Sequence, residues 1–213
     1  MNRIGWTIFA FFAIGVGLYP ILYLITDAKI GILNSKSDEL LKDPLWNWAF
    51  FQHIIFGGLA LLTGWSQFSK KLRNRNLNFH RTLGKIYISV CMISGIAGLY
   101  LAVYATGGMV AKLGFAGLAL SWLSSTAIAY SSIRNHKIDK HQAWMIRSYA
   151  LTFAAVTLRI WLPLSGILQI EFIDAYRVIA WLCWVPNIIF AEWLVSRLKL
   201  PSLISSRVKI RTQ

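Results

Sequence analysis

Six long apolar runs, separated by short polar loops, make up most of this chain. A helix needs about 20 mostly apolar residues to cross a bilayer. The runs predict an all-α fold class, a polytopic membrane helical bundle with six transmembrane helices in a single integral membrane domain over residues 1–213. The first run is too long for the apolar core of a signal peptide, and no A-x-A site follows it, so we expect a membrane anchor. The spans are expected at about 4–25, 46–68, 83–105, 112–133, 143–166 and 175–195.

Small and polar residues recur on one face of several spans. Positions 7, 11 or 18 apart share a helix face, and in span 5 this spacing joins His141, Ser148, Thr152 and Arg159. Such stripes are common where helices pack closely in lipid, so packing alone is one explanation. If the faces meet, spans 2–5 form a four-helix core with spans 1 and 6 outside. The corresponding faces are His53, Gly57, Ala60, Gly64 and Gln67 in span 2; His80, Gly84, Tyr87, Cys91, Ser94 and Gly98 in span 3; and Gly114, Gly117, Ser121 and Ser125 in span 4.

The net charge of +14 would favour nucleic-acid binding in a soluble protein. Here the Lys and Arg residues lie in short loops between apolar runs, which indicates membrane topology and anionic lipid headgroups, with no nucleic acid partner. Protein partners are not indicated. The two cysteines, Cys91 and Cys183, lie in apolar runs and predict neither a disulfide framework nor a zinc site.

Loop charges alternate along the chain and predict an orientation. By the positive-inside rule the basic loops are cytoplasmic, which places both termini in the cytoplasm of a bacterium and the protein in its cytoplasmic (inner) membrane. Trp46, Trp48 and Trp161 are then expected at the outer interface. The basic segments contain Lys70, Lys71, Arg73, Arg75, Arg81 and Lys85; Arg134, Lys137 and Lys140; and Arg197, Lys199, Arg207, Lys209 and Arg211, whereas the other loops hold Asp27, Asp38, Glu39, Asp43, Glu171 and Asp174.

His80 and His141 form the first candidate site, at the cytoplasmic ends of spans 3 and 5. Two histidines on facing helices can be axial ligands of a haem b iron, and Arg81 and Arg147 would then bind its propionates. The alternatives are side chains that reach the headgroups, a quinone-headgroup site or a proton relay. Glu192, in span 6, is expected to pair with Arg147 or Arg197.

His53 and Arg159 form the second candidate site, in the outer half of the bundle. No span carries an acid at the depth of Arg159, and the nearest acids are Glu171 and Asp174 in the following loop. If these do not reach it, Arg159 needs carbonyl groups, water or an anionic ligand. A hydrogen-bonded core histidine is the alternative for His53. A second haem at this depth would lack a partner histidine on span 4.

Four segments resemble the bacterial domain of unknown function 2306 family of predicted membrane proteins. They are "FQHIIFGGLALLTGWSQF" (51–68), "HRTLGKIY" (80–87), "HQAWMIRSYALTFAAVTLRIW" (141–161) and "WVPNIIFAEW" (184–193). This resemblance implies no particular activity. A looser architectural likeness to cytochrome b561-type haem cores implies two haems and transmembrane electron transfer; only His80 and His141 suit it.

The combined interpretation is a multi-pass inner-membrane protein of uncharacterised function with a polar His/Arg intramembrane site, linked to haem or quinone redox chemistry. Whether it is an enzyme stays open. The first alternative is a non-enzymatic protein that binds lipid or a partner through its basic cytoplasmic face. The second is a small transporter or proton pathway, which ranks lower because Pro20, Pro163 and Pro186 lie toward span ends rather than at mid-membrane.

Overall fold

The computed structural model describes residues 3–26 and 31–201. Within that part of the chain there is no strand, and six helical segments are long and apolar enough to cross a membrane. The predicted all-α, six-span architecture is confirmed. The spans are Arg3–Leu18 with Pro20–Ile25; Pro44–Gly64 with a 3-10 turn over Trp65–Phe68; Leu77–Ala102; Gly108–Arg134; Ile138–Thr152 with Ala154–Ile167; and Phe172–Leu182 with Val185–Arg197.

Span boundaries follow from local capping. Asp43 Oδ1 accepts a hydrogen bond from the Leu45 N–H, and Pro44 opens span 2 at a position where no N–H is needed. Asn76 Oδ1 accepts the Phe79 N–H, which starts span 3 at Leu77, earlier than the predicted residue 83. His80 therefore lies in the first turns of the helix. Short helices over Asp38–Lys42 and Lys70–Arg75 and a 3-10 turn over Gly31–Ser35 complete the loops.

Spans 2, 3, 4 and 5 pack in sequence around a common interior, as predicted. Span 1 packs on span 2 and reaches span 5, where Phe9 stacks on Phe153 with ring centroids 5.4 Å apart. Span 6 packs on spans 4 and 5. Every span thus contributes to a bundle whose centre is formed by spans 2–5.

Small residues set the distances between helices. A side chain at Gly64 would overlap the rings of Tyr149 and Tyr87, and one at Gly58 would meet the Gly17 carbonyl oxygen at 2.5 Å. In span 4, Gly114 faces the backbone of Ala180 and Gly117 faces the ring of Trp184, so these two residues of the small face expected toward spans 2, 3 and 5 instead pack on span 6. Close approach of this kind supplies the van der Waals contact that replaces the hydrophobic effect inside a membrane.

Spans 5 and 6 are each interrupted near their midpoints: span 5 by a one-residue irregularity at Phe153, whose backbone angles stay helical, and span 6 at Cys183–Trp184. The sequence placed Pro20, Pro163 and Pro186 toward span ends. This was wrong for Pro186, which lies at the start of the second half of span 6, next to the break. The interruption at Phe153 involves neither proline nor glycine. Near the second break, Asn187 Nδ2 donates to the carbonyl oxygens of Cys183 (3.1 Å) and Ala150 (3.2 Å). Side-chain donors thus stabilise backbone groups that a continuous helix would have satisfied.

The two ends of the bundle differ in charge. We call the end that carries residues 69–76 and 134–141 the basic end, and the end formed by residues 31–43, 103–107 and 168–171 the opposite end. Asp27, Arg207, Lys209 and Arg211, which contribute to the predicted orientation, lie outside the described residues. The cytoplasmic position of the basic end stays a prediction.

Replacing Gly64 with alanine is expected to lower the free energy of unfolding by about 1–3 kcal/mol, the usual range for overpacking. The reason is that the new methyl group would overlap two buried rings whose hydroxyls are held by hydrogen bonds. Loss of helicity during titration of the micellar protein with SDS measures the change.

Gly15→Ala is the matched control, because nothing lies within 4 Å of a side chain there. It should be neutral or slightly stabilising, since alanine favours helix. Equal stability of the Gly64→Ala and Gly15→Ala proteins would contradict the packing described for spans 2, 3 and 5.

Candidate functional site

His53 is fixed in one tautomer by span 3. Its Nδ1 lies 2.9 Å from the Ser94 carbonyl oxygen, which can only accept, so Nδ1 carries the proton. Ser94 Oγ in turn donates to the His53 carbonyl oxygen at 2.8 Å. A side chain at Gly98 would meet the imidazole at 2.9 Å, so the small face of span 3 makes room for the ring. The neutral ring therefore keeps its Nε2 lone pair for another group.

Arg159 lies in span 5 without an acidic partner in the part of the chain that is described. Its Nη1 donates to the Ala155 carbonyl oxygen at 2.9 Å, and its guanidinium carbon lies 4.5 Å from the ring centre of Tyr19. The buried Nε has no hydrogen-bond partner among the described residues. Glu171 caps the N-terminus of span 6, and Asp174 pairs with Arg177. The carbonyl contact, one of the three partners that the sequence offered for Arg159, is present, and the buried Nε–H is left without a partner among the described residues.

His53 and Arg159 line the same cavity, which has a volume of about 240 Å³. They are also close enough to interact electrostatically. The cavity occupies the half of the bundle toward the opposite end: Ile32 and Lys36 line it from the loop, and Leu61, Trp122 and Thr152 line it at mid-height. A single water occupies about 30 Å³ in the liquid, and pockets for drug-sized ligands begin near about 300 Å³. The space is therefore suited to a head group or another small ligand.

Two lining residues were missed by the sequence analysis. Trp46, expected to face the outer interface, is only 2% exposed, and its buried Nε1 has no partner in the described part of the chain. It precedes His53 by seven residues, so the spacing used for the stripes does place it on the His53 face. No pattern in the sequence indicated that Lys36 would line a cavity. Its Nζ donates to the Tyr104 carbonyl oxygen at 2.6 Å and to Thr106 Oγ1 at 3.1 Å.

A saturated hydrogen-bond network lies at the mid-height side of the cavity. The Tyr87 hydroxyl shares hydrogen bonds with Ser148 Oγ (2.9 Å) and Thr152 Oγ1 (2.8 Å). Trp122 Nε1 donates to Thr152 Oγ1 at 2.9 Å, and Thr126 Oγ1 lies 2.7 Å from Ser148 Oγ. Ser148 and Thr152, from the predicted span 5 stripe, thus contact spans 3 and 4 as that prediction required.

His80 and His141 lie apart from the cavity, toward the basic end. His141 Nδ1 donates to the Ala129 carbonyl oxygen at 2.9 Å. In the neutral ring, the Nε2 of His141 therefore carries no proton and offers its lone pair. His141 is near enough to His80 to act on it electrostatically. Arg81 is exposed beside His80. The structure thus places the two histidines in one region, and haem ligation by them stays a prediction.

Arg147 forms a buried ion pair with Glu192. Of the two partners that the sequence predicted for Glu192, Arg147 and Arg197, the structure shows Arg147. Its Nε and Nη2 donate to the two carboxylate oxygens, the second at 3.0 Å, and the Arg147 side chain is 1% exposed. Trp144 lies beneath the guanidinium, with 4.6 Å from its carbon to the ring centre. Arg197 lies over Trp193 instead. Because Arg147 already holds a carboxylate, the predicted propionate contact would compete with this pair.

Comparison with protein families agrees with the resemblance seen in the sequence. The family model described as "Predicted membrane protein (DUF2306)" matches residues 50–195, more than half of the chain, and the chain belongs to this family. The predicted site residues His53, His80, Arg81, His141, Arg147 and Arg159 fall inside the match, and Lys36 and Trp46 precede it. No curated protein and no solved structure matches the chain.

Removing one partner of the Arg147–Glu192 pair is expected to destabilise the fold, because it leaves a buried charge uncompensated. Glu192→Gln should lower the free energy of unfolding by about 3 kcal/mol in SDS titration, at the low end of the range for buried pairs since Glu192 is 19% exposed. Asp174→Asn is the control, because the Asp174–Arg177 pair is exposed and worth about 1 kcal/mol or less. Similar losses in the two proteins would contradict a structural role for Glu192.

Proposed function

We propose that this DUF2306 membrane protein binds a membrane-soluble ligand whose head group accepts hydrogen bonds between His53 and Arg159. The observation that carries the proposal is the Arg159 Nε, buried without a partner among the described residues, on a side chain that lines the same cavity as His53. An unsatisfied buried donor costs about 1–3 kcal/mol, and more when it is charged. A ligand oxygen at this position would remove that cost.

A quinone head group, an alternative from the sequence for the His80–His141 site, is the ligand class that we propose here for His53 and Arg159. Its carbonyl oxygens accept hydrogen bonds, as Arg159 requires, and the hydroxyl of the reduced form can donate to the His53 Nε2 lone pair. Apolar side chains such as Leu61 and Leu158 line the same cavity and suit a ring. The proposal concerns binding; it includes no electron-transfer step.

The binding test uses purified protein in detergent and short-chain ubiquinone and menaquinone analogues. Binding is followed by quenching of tryptophan fluorescence, since Trp46 and Trp122 line the cavity. Arg159→Met is expected to weaken binding by about 10-fold or more, the loss of one hydrogen bond to a charged group. Arg159→Lys keeps the charge without the Nε donor and should give an intermediate affinity. His53→Leu tests the second contact.

Arg177→Met is the matched control, because Arg177 lies toward the same end, is 46% exposed and pairs with Asp174. It should bind like the wild type. Wild-type affinity in both the Arg159→Met and His53→Leu proteins would exclude this site. Absence of binding to any acceptor-bearing head group would exclude the proposed function altogether.

Haem b ligation by His80 and His141 is a second candidate function. The observation that favours it is the His141 Nδ1–H bond to a backbone carbonyl, which orients a histidine for metal ligation through Nε2. If it holds, protein from haem-supplemented expression shows a Soret band and a reduced α-band that disappear in His80→Ala and His141→Ala. The exposed His136 is the control position. A spectrum without these bands would contradict this function and leave the quinone proposal intact.

Transport of the bound ligand is a third candidate, supported by the break in span 5. Transporter sites are often formed where helices are interrupted near mid-membrane, and Thr152, Ala154 and Ala155, which flank the break, line the cavity. Uptake by proteoliposomes that is lost in Arg159→Met would favour transport over binding alone.

A further inference from the structure

We propose that the ligand's head group is an oxyanion carried on an apolar chain, held jointly by Lys36 and Arg159. This inference rests on the proposed function, which is the binding of a hydrogen-bond-accepting head group in this cavity, and it assigns that head group to an oxyanion in place of a neutral quinone. It adds a second cationic contact, from the loop at the opposite end, and it predicts discrimination between charged and neutral head groups.

The charge of the cavity lining is the first argument. Among the described residues, Lys36 and Arg159 line the cavity, and no Asp or Glu does. Lys36 donates to a backbone carbonyl and a threonine hydroxyl, and Arg159 donates to a backbone carbonyl, so the partners seen for both are neutral. Lys36 is partly buried and both side chains line the cavity. An anion within reach of both cations would interact favourably with each of them.

The unused hydrogen-bond donors are the second argument. Trp46 and Arg159 line the cavity, and the buried Nε1 of the first and Nε of the second lack partners in the described part of the chain. The Lys36 ammonium carries three hydrogens, and two of them are used. A carboxylate or phosphate has several oxygens with about two acceptor sites each, so one head group can accept from several donors. A lone carbonyl oxygen accepts fewer.

The remaining lining supports an amphiphile rather than a free anion. Apart from the polar groups already named, the walls are largely aliphatic and aromatic, including Val16, Ile54, Leu101 and Phe115. A free anion gains nothing from such walls, whereas an acyl chain gains about 0.8 kcal/mol for each buried CH₂ group. The head group and the chain are therefore recognised by different parts of the same cavity.

Lys36 also predicts a pH dependence. Burial, together with the nearby charge of Lys112, lowers the pKa of its amino group to about 8. Lys36 is charged below this pH and neutral above it, so affinity for an anion should fall as the pH rises through about 8, or somewhat higher once a bound anion stabilises the charge. The other titratable groups that line the cavity are Tyr23, His53, Arg159 and Tyr176.

The decisive experiment compares octanoate with octanol, which share a chain and differ in charge, on wild-type protein in lipid nanodiscs at pH 7 and pH 9. We expect octanoate to bind at least 10-fold more tightly than octanol at pH 7 and to lose most of that advantage at pH 9. Lys36→Met should weaken octanoate binding about 10-fold, the loss of one charge-assisted hydrogen bond, and leave octanol unchanged. Lys42→Met, an exposed lysine at the same end, is the matched control.

Lys36→Arg separates Lys36 from the other titratable groups, because arginine stays charged throughout this range. It should keep octanoate binding at pH 7 and lose the decline at pH 9. A decline that persists in Lys36→Arg would overturn the assignment to Lys36. Acetate or inorganic phosphate binding as tightly as octanoate would overturn the requirement for an apolar chain.

The two proposals fail in different ways. Equal affinity for octanoate and octanol, with quinone analogues still dependent on Arg159, would overturn the anion inference and leave the proposed function standing. If octanoate, octanol and the quinone analogues all bind the Arg159→Met protein as they bind the wild type, both proposals are wrong.

Discussion

Hydrogen bonds among Tyr87, Trp122, Thr126, Ser148 and Thr152 hold spans 3, 4 and 5 in register at the middle of the bundle. The four hydroxyls form a chain that can be ordered in two directions. In one order, each hydroxyl donates to the next from Thr126 to Thr152, and Thr152 donates to the Ser148 carbonyl oxygen. In the reverse order, the last hydroxyl is Thr126, which donates to the Trp122 carbonyl oxygen. In both orders every donor has an acceptor. Lipid offers no replacement partner, so this saturation fixes the positions of the three helices.

Between the network and the opposite end, the buried polar groups are not all paired. There Arg159 and Trp46 each keep a buried N–H without a partner in the described chain. Gln67 Nε2 and Arg147 Nη1, on residues that do not line the cavity, are also buried without a partner among the described residues, so an unpaired donor does not by itself identify a ligand site. Arg159 and Trp46 differ from them because both residues line the cavity to which the proposed function assigns a ligand.

Periodicity explains how much of this arrangement could be predicted. The spans, the four-helix centre and the Ser148–Thr152 contacts follow from apolar length and helical spacing, which are local properties. The same helical spacing could have placed Trp46 on the His53 face, but its position near a span end favoured an interface anchor instead. The position of Lys36 could not be predicted in this way, because its partners Tyr104 and Thr106 are 68 and 70 residues away and only the folded loop brings them together. The break at Phe153 likewise has no local breaker and coincides with its stacking on Phe9.

The cavity is cationic although the loops at its end contain most of the acids of the chain. Side-chain length explains this difference. The short carboxylates of Asp43 and Glu171 accept hydrogen bonds from N–H groups at the starts of spans 2 and 6, where the helix dipole favours a negative charge. Lysine and arginine are long enough to extend from their backbones, so Lys36 and Arg159 reach the interior. Loop composition can therefore indicate membrane topology and still give the wrong sign for the charge that lines the cavity. Acidic side chains that cap helix N-termini are compatible with an anion site in the cavity next to them.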